Sequence, residues 1–323
     1  MTAAPVPATD DPFYHPALYY AGDQEYLDGT IPFIEEALAV DAPVAVSVPG
    51  PNLALLRRAL GASAARVQML DMTEAGANPG RIIPGVLRAF ADKHPDRRVH
   101  IIGEPIWASR TAAEYPACAQ HEALINHAFT GRDVAILCPY DTDGLDPQVI
   151  ADSLATHPVL IDGSGRRTSD DYDPDRIVAE YNRPLEGRPP SAITREFDRE
   201  TVDNARWFTT SYGRGAGLAA TRLIDLEIAV TELLTNSVCH GGAGGLLSIW
   251  TEQDRLVCEV SDAGHITDPL AGRRPVDGDQ PYGRGLLLVN QIVDLLRTHT
   301  GPRGTTMRFH IGLPAAGAPS QRR

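Results

Sequence analysis

The chain has 323 residues, 43% hydrophobic and 22% charged, the balance of a globular protein with enough material for two cores. A formal net charge of −13, with no stripe of Lys and Arg, excludes a sequence-independent grip on DNA or RNA. Residues 1–11 lack the basic start and apolar run of a secretory leader, and no segment approaches a membrane span, so the expected location is cytoplasmic.

In chain order, short β-branched runs alternate with longer helical patterns from Pro43 to Ile161. Strands are predicted at Val44 to Val48, Val67 to Leu70, Val99 to Ile102, Val134 to Leu137 and Val159 to Ile161. Helices are predicted near Ile31 to Ala39, Leu53 to Leu60, Ile82 to Ala91, Ala113 to Phe129 and Pro147 to Leu154. Strand and helix in alternation, with strands apolar on both faces, imply a mostly parallel sheet between two helical layers.

Between Asp162 and Pro190 the texture shifts to Gly, Ser, Arg, Asp and Pro, with one short helical pattern at Pro174 to Tyr181, so a linker is expected over 164–196. Helices follow at Arg199 to Tyr212 and Ala219 to His240, the second stopped by Gly241 and Gly242. Strands are predicted at Leu246 to Thr251, Arg255 to Ser261 and Thr305 to Ile311, with a helix from Gly285 to Arg297. Helices first and strands later suggest a two-layer α/β sandwich with a mixed sheet open on one face, and a disordered tail over 314–323. Trp207 and Trp250 are expected in cores. Cys118, Cys138, Cys239 and Cys258 stand far apart with no C-x-x-C pair, which disfavours structural zinc and disulfides and leaves them as small buried hydrophobes.

One constellation carries chemistry. On the long helix Glu232 and Asn236 stand one turn apart and share a face, beside a stripe of Leu226, Val230, Leu233, Leu234 and Val238. Oxygen donors so placed suit magnesium, which keeps substrate phosphates among its ligands. Downstream, Asp262 closes a strand and is followed by Ala263 and Gly264, a turn that aims a carboxylate into a pocket. Gly283, Arg284, Gly285 and Leu286 then open a helix whose free N–H groups attract phosphate, and Thr305 and Thr306 begin the last strand.

These four elements, in this order, resemble the adenine-nucleotide site shared by sensor histidine kinases, gyrase and MutL, the GHKL or Bergerat-type fold. The wording around each motif is most similar to anti-sigma-factor serine/threonine kinases of the RsbW type, over 197–313. The resemblance implies ATP and Mg2+ as cofactors. Asn236 would hold the magnesium, Glu232 would be the general base, and Asp262 would take the adenine amino group with help from Thr305 or Thr306. Gly264, Gly283, Arg284, Gly285 and Leu286 would line the nucleotide, with His265 to Tyr282 as its lid. The implied partners are a sigma factor and a STAS-domain anti-anti-sigma protein, and relatives of this half form homodimers. His265 and Ile266 depart from the family pattern, which has another glycine in the lid, and Cys239 stands where relatives carry a basic residue. A nucleotide-gated binding protein without kinase activity is the alternative reading. A sensor histidine kinase is the less favoured one, because the only His-Glu pair, His121 and Glu122, lacks the following proline and lies in the other half.

The N-terminal half, over 12–163, is similar to the MEDS sensory domain in its His15-Pro16 opening, Glu104-Pro105 with Trp107, Glu122 to Asn126, Leu137 to Asp141, and His157-Pro158. That resemblance implies a RecA-like three-layer α/β/α fold that senses an unknown small molecule. After Val48 the chain reads Pro49-Gly50-Pro51-Asn52 with no Gly-Lys-Ser/Thr, so no working phosphate loop is expected. His121 and His127 are six apart and point to different faces, unlike a zinc helix. Glu104, Trp107, Arg110 and Glu122 would either line a ligand cleft or serve packing and salt bridges.

Overall fold

The computed structural model describes residues 11–275 and 283–314, which divide into two units between Tyr181 and Asn182. The first unit is a seven-stranded sheet between helices. Its elements are β1 (Pro16–Tyr20), α1 (Gly22–Ala39), β2 (Val44–Val48), α2 (Gly50–Leu60), β3 (Val67–Asp71), α3 (Met72–Ala75), a π-helical turn (Ile83–Arg88) running into α4 (Ala89–Ala91), β4 (Val99–Gly103), α5 (Tyr115–Phe129), β5 (Val134–Asp141), α6 (Pro147–Thr156), β6 (Val159–Asp162), β7 (Gly165–Thr168) and α7 (Pro174–Glu180). The strand order is β3-β2-β4-β5-β1-β6-β7, and every pair is parallel except β6 with β7.

Strand β1 was not expected from the sequence. It lies between β5 and β6 at the centre of the sheet, yet opens on Pro16 and holds no β-branched residue. A proline is tolerated at a strand's first position, where its missing donor is not needed.

The second unit consists of β8 (Ile193–Asp198), α8 (Val202–Gly215), α9 (Ala220–His240), β9 (Gly244–Glu252), β10 (Arg255–Asp262), α10 (Arg284–Ile292), β11 (Leu295–Gly301) and β12 (Gly304–Gly312). Its five-stranded sheet, ordered β11-β12-β10-β9-β8, is antiparallel throughout rather than mixed. Inward residues of α8, α9 and α10 share one core with alternate residues of the strands, including Leu226, Leu233, Leu247, Cys258, Val289 and Phe309. This is the two-layer α/β sandwich.

Three local readings change. The helix expected to run to Arg297 stops at Ile292, and Leu295 begins β11 instead. Apolar residues there satisfy either period, and Asp294 decides the matter: it accepts from Gly312 N at 2.6 Å and from Arg222 at 2.7 Å, which seats the chain beside β12. Trp250 is buried, but Trp207 is 70% exposed, because the buried stripe of α8 falls on Ala205, Thr209 and Gly213. Cys239 is exposed for the same reason on α9, whereas Cys118, Cys138 and Cys258 are buried.

The stretch 164–196 is not one free segment. Asp173 caps α7 by accepting from Arg176 N at 3.0 Å, and α7 buries Ile177 against Ala119, Ala123 and Ala155. Residues 193–198 form β8, whose only buried side chain is Phe197, a composition suited to an edge strand. The expected tail over 314–323 falls, beyond residue 314, outside the described residues.

Candidate functional site

A cavity of about 590 Å³ opens where α9, the end of β10, the start of α10 and β12 meet. Its lining includes Asn236, Asp262, Gly264, Gly283, Gly285, Leu286 and Thr305, so residues far apart in sequence share one hollow. The volume is within the range of small-molecule sites.

Asp262 is fixed at one end. Its Oδ2 accepts from Ser237 Oγ at 2.5 Å and its Oδ1 from Gly264 N at 2.8 Å. Strand register sets Asp262 opposite Thr305, whose hydroxyl donates to Gly264 O at 2.8 Å. The close fit explains Gly304: its φ is +113°, and a Cβ there would stand 1.9 Å from Asp262 O.

Asn236 lines the cavity from α9, and Glu232 stands one helical turn before it. Gly285, in the first turn of α10, lies directly over them: an added Cβ would be 2.4 Å from Glu232 Oε2 and 3.7 Å from Asn236 Nδ2. A carboxylate, an amide and the free N–H groups of a helix start therefore share one small space, the arrangement that suits a magnesium-bound phosphate chain.

Three predicted residues are absent from the lining, and the first of them, Glu232, stands beside it next to Gly285. Successive residues of a strand face opposite ways, so Thr306 turns from the cavity toward the hollow lined by Ser261 and Arg308. Arg284 is exposed and absent from the lining. Of the expected lid, His265, Ile266, Asp268, Leu270, Ala271, Gly272, Arg274 and Pro275 line the cavity, while 276–282 lie outside the described residues. Sequence reasoning missed Ser237 and Gly241. Ser237 directly follows Asn236, and its hydroxyl was legible only as one more polar group on a helix. Gly241 read as a cap, but its carbonyl accepts from Ala263 N at 3.1 Å and ties the end of α9 to the turn after Asp262.

In the first unit Glu104 and Glu122 face different partners, Asn52 for the first and the rings of His15 and His157 for the second. Asn52, at the start of α2 where a phosphate loop would lie, donates to both oxygens of Glu104 at 3.0 and 2.8 Å. Arg110 stacks on Trp107 at 3.8 Å and donates to three backbone carbonyls, a packing role. His121 is buried within α5, out of reach as a phospho-acceptor. No helix among the described residues is long and apolar enough to cross a membrane.

Comparison with known proteins agrees with the geometry. Residues 196–311 match the histidine kinase-like ATPase domain, and residues 14–158 match MEDS, the methanogen/methylotroph, DcmR sensory domain. The chain thus matches one family model in each of its two units. A curated relative, the serine-protein kinase RsbW of Halalkalibacterium halodurans, is 33% identical over 108 residues, covering 29% of this chain and 66% of the relative's length. Among solved structures, the RsbU and RsbW domains of Rv1364c from Mycobacterium tuberculosis match at 20% identity and TM-score 0.30, over 41% of this chain and 35% of that one. The Acinetobacter baumannii histidine kinase AdeS matches at 14% identity and TM-score 0.23, over 42% and 72%.

Proposed function

We propose that the second unit binds ATP with magnesium and phosphorylates a Ser or Thr of a STAS-type anti-anti-sigma protein, or sequesters a sigma factor, under control of the MEDS unit. The observation that carries this reading is the close approach of Gly285 to both Glu232 and Asn236, beside the cavity that Asp262 also lines. Bound ATP would supply the transferable phosphoryl group, with magnesium held at Asn236.

The chain's own residues do the rest. Asp262, fixed by Ser237 and Gly264, keeps a carboxylate aimed at a ring amino group, which selects adenine. The α10 start presents N–H groups to phosphate, and Glu232 accepts the proton of the attacking hydroxyl. Retention of both Glu232 and Asn236 favours the kinase over a nucleotide-gated binder, which has no need of a base. The similarity to RsbW supports the serine/threonine class.

The test is to incubate the full chain with labelled ATP, magnesium and a candidate STAS protein, beside Glu232→Ala. Transfer that disappears in the variant supports the kinase. Nucleotide-dependent binding without transfer in either protein would replace it with the gated binder.

A further inference from the structure

We propose that His15, Glu122, Cys138 and His157 form a buried, four-ligand site for a divalent transition metal, with zinc the best match to the donors. The residues come from four separate segments. His15 immediately precedes β1, Cys138 lies on the adjacent β5 in register with Ala17, His157 follows α6, and Glu122 reaches in from α5. One donor atom from each lies within 4.8 Å of all the others.

Three of the six separations between donor atoms have the length of an edge in a coordination shell. His157 Nε2 is 3.2 Å and His15 Nε2 is 3.6 Å from Glu122 Oε2, and Cys138 Sγ is 3.4 Å from His15 Nε2. Four ligands on tetrahedral arms of about 2.0–2.3 Å are separated by roughly 3.3–3.8 Å along the edges.

The outer contacts decide where the lone pairs point. Asn126 Nδ2 donates to Thr156 O at 2.8 Å, so its Oδ1 is left to accept, and His15 Nδ1 must be the donor to it at 3.1 Å. His157 Nδ1 lies 3.0 Å from Ser153 O, which can only accept, and 2.9 Å from Thr156 Oγ1, whose own proton has the carbonyls of Asp152 and Ser153 to go to, so this nitrogen carries a proton too. Both Nε2 atoms then turn bare lone pairs on the cluster. This is the outer-shell arrangement that orients metal-binding histidines.

Without a cation the cluster is a convergence of acceptors. Neither Glu122 oxygen nor His157 Nε2 has a hydrogen-bond partner, and none of the four residues is more than 1% exposed. An uncompensated carboxylate in such a place is costly. Protonating both histidines is disfavoured, because two imidazolium rings would stand with centroids 4.1 Å apart. A divalent ion with one carboxylate and one thiolate leaves the buried site neutral, and the sulfur and two imidazoles favour zinc over magnesium or calcium. With all four positions taken by protein, the ion would clamp β1, α5, β5 and the end of α6 together. The absence of a C-x-x-C pair, which spoke against zinc in the sequence, does not bear on a site assembled from distant segments.

The experiment uses the full chain purified without a metal-affinity tag. Elemental analysis should find about one zinc per chain. After removal with a chelator, titration with Co(II) should raise a thiolate-to-cobalt charge-transfer band with intense tetrahedral visible bands. Cys138→Ser should lose the charge-transfer band, and Glu122→Gln or Asn126→Ala should weaken binding at least tenfold against a competing chelator. If a variant fails to fold, the wild-type titration still decides. A folded wild-type chain that contains no metal and shows no cobalt–thiolate band overturns the proposal and leaves a proton-only network.

Discussion

Gly285 sits so close over Glu232 that a Cβ there would come within 2.4 Å of Oε2. The clashing atom ends a flexible side chain, so alanine would displace the carboxylate rather than unfold the protein. Gly285→Ala should therefore cut phosphoryl transfer at least tenfold, about 1.4 kcal/mol in the barrier, while the thermal midpoint barely moves. Steady-state rates beside a melting curve check this, and a fully active Gly285→Ala protein would remove Glu232 from the role of base.

Ser237 donates to Asp262 from a buried position, and Gly264 N supplies the other fixed contact. Removing the hydroxyl frees Asp262 to turn and leaves one oxygen without its donor. Ser237→Ala should weaken ADP binding by about 1–2 kcal/mol, roughly 5- to 30-fold. Calorimetry with ADP and magnesium measures it. An unchanged affinity would mean that Asp262 is not the adenine acceptor.

Much of the second unit was legible because its signals are local. The stripe from Leu226 to Leu234 and the alternation in β9 and β10 each declare a period, and Glu232, Asn236, Asp262 and Gly285 lie at fixed offsets from those elements. What escaped depended on distant partners. Strand β11 needed Asp294 to meet Gly312 and Arg222, α7 needed the alanines of α5 and α6, and the role of Ser237 needed the end of β10. The His15, Glu122, Cys138 and His157 cluster escaped for the same reason: its residues became neighbours only when β1 entered the middle of the sheet.

Glu104 makes the first unit sensitive to pH. Burial, reinforced by the charge of Asp141, pushes its carboxyl up to about 8 despite donors from Asn52 and Tyr20, and Tyr26 packs nearby. The folded state thus holds this proton to a higher pH than the unfolded chain, whose value is near 4.5. Glu104's contribution is complete below that lower value and is lost as pH rises toward 8, by about 1.4 kcal/mol for each step of one in pH. Urea midpoints across this window should fall with pH in the wild type and fall less in Glu104→Gln. Parallel profiles would show that Glu104 titrates as an ordinary carboxylate.

On the helix-free face of the second sheet, Glu259 is buried to 3% exposure and accepts from Arg188 at 2.6 Å and from Arg308 at 2.8 Å. Arg188 belongs to the segment before β8, so this pairing pins that segment across the strands, while Arg308 also lies over Trp250 at 5.1 Å. Deleting the shared acceptor strands two guanidinium groups, whereas deleting Arg188, 30% exposed, leaves the Arg308 pair intact. Glu259→Ala should cost about 3–5 kcal/mol of stability and Arg188→Ala about 1 kcal/mol or less. Denaturant unfolding of the two variants, read from Trp250 fluorescence, measures both, and equal losses would show that Arg188 rather than Arg308 is the dominant partner of Glu259.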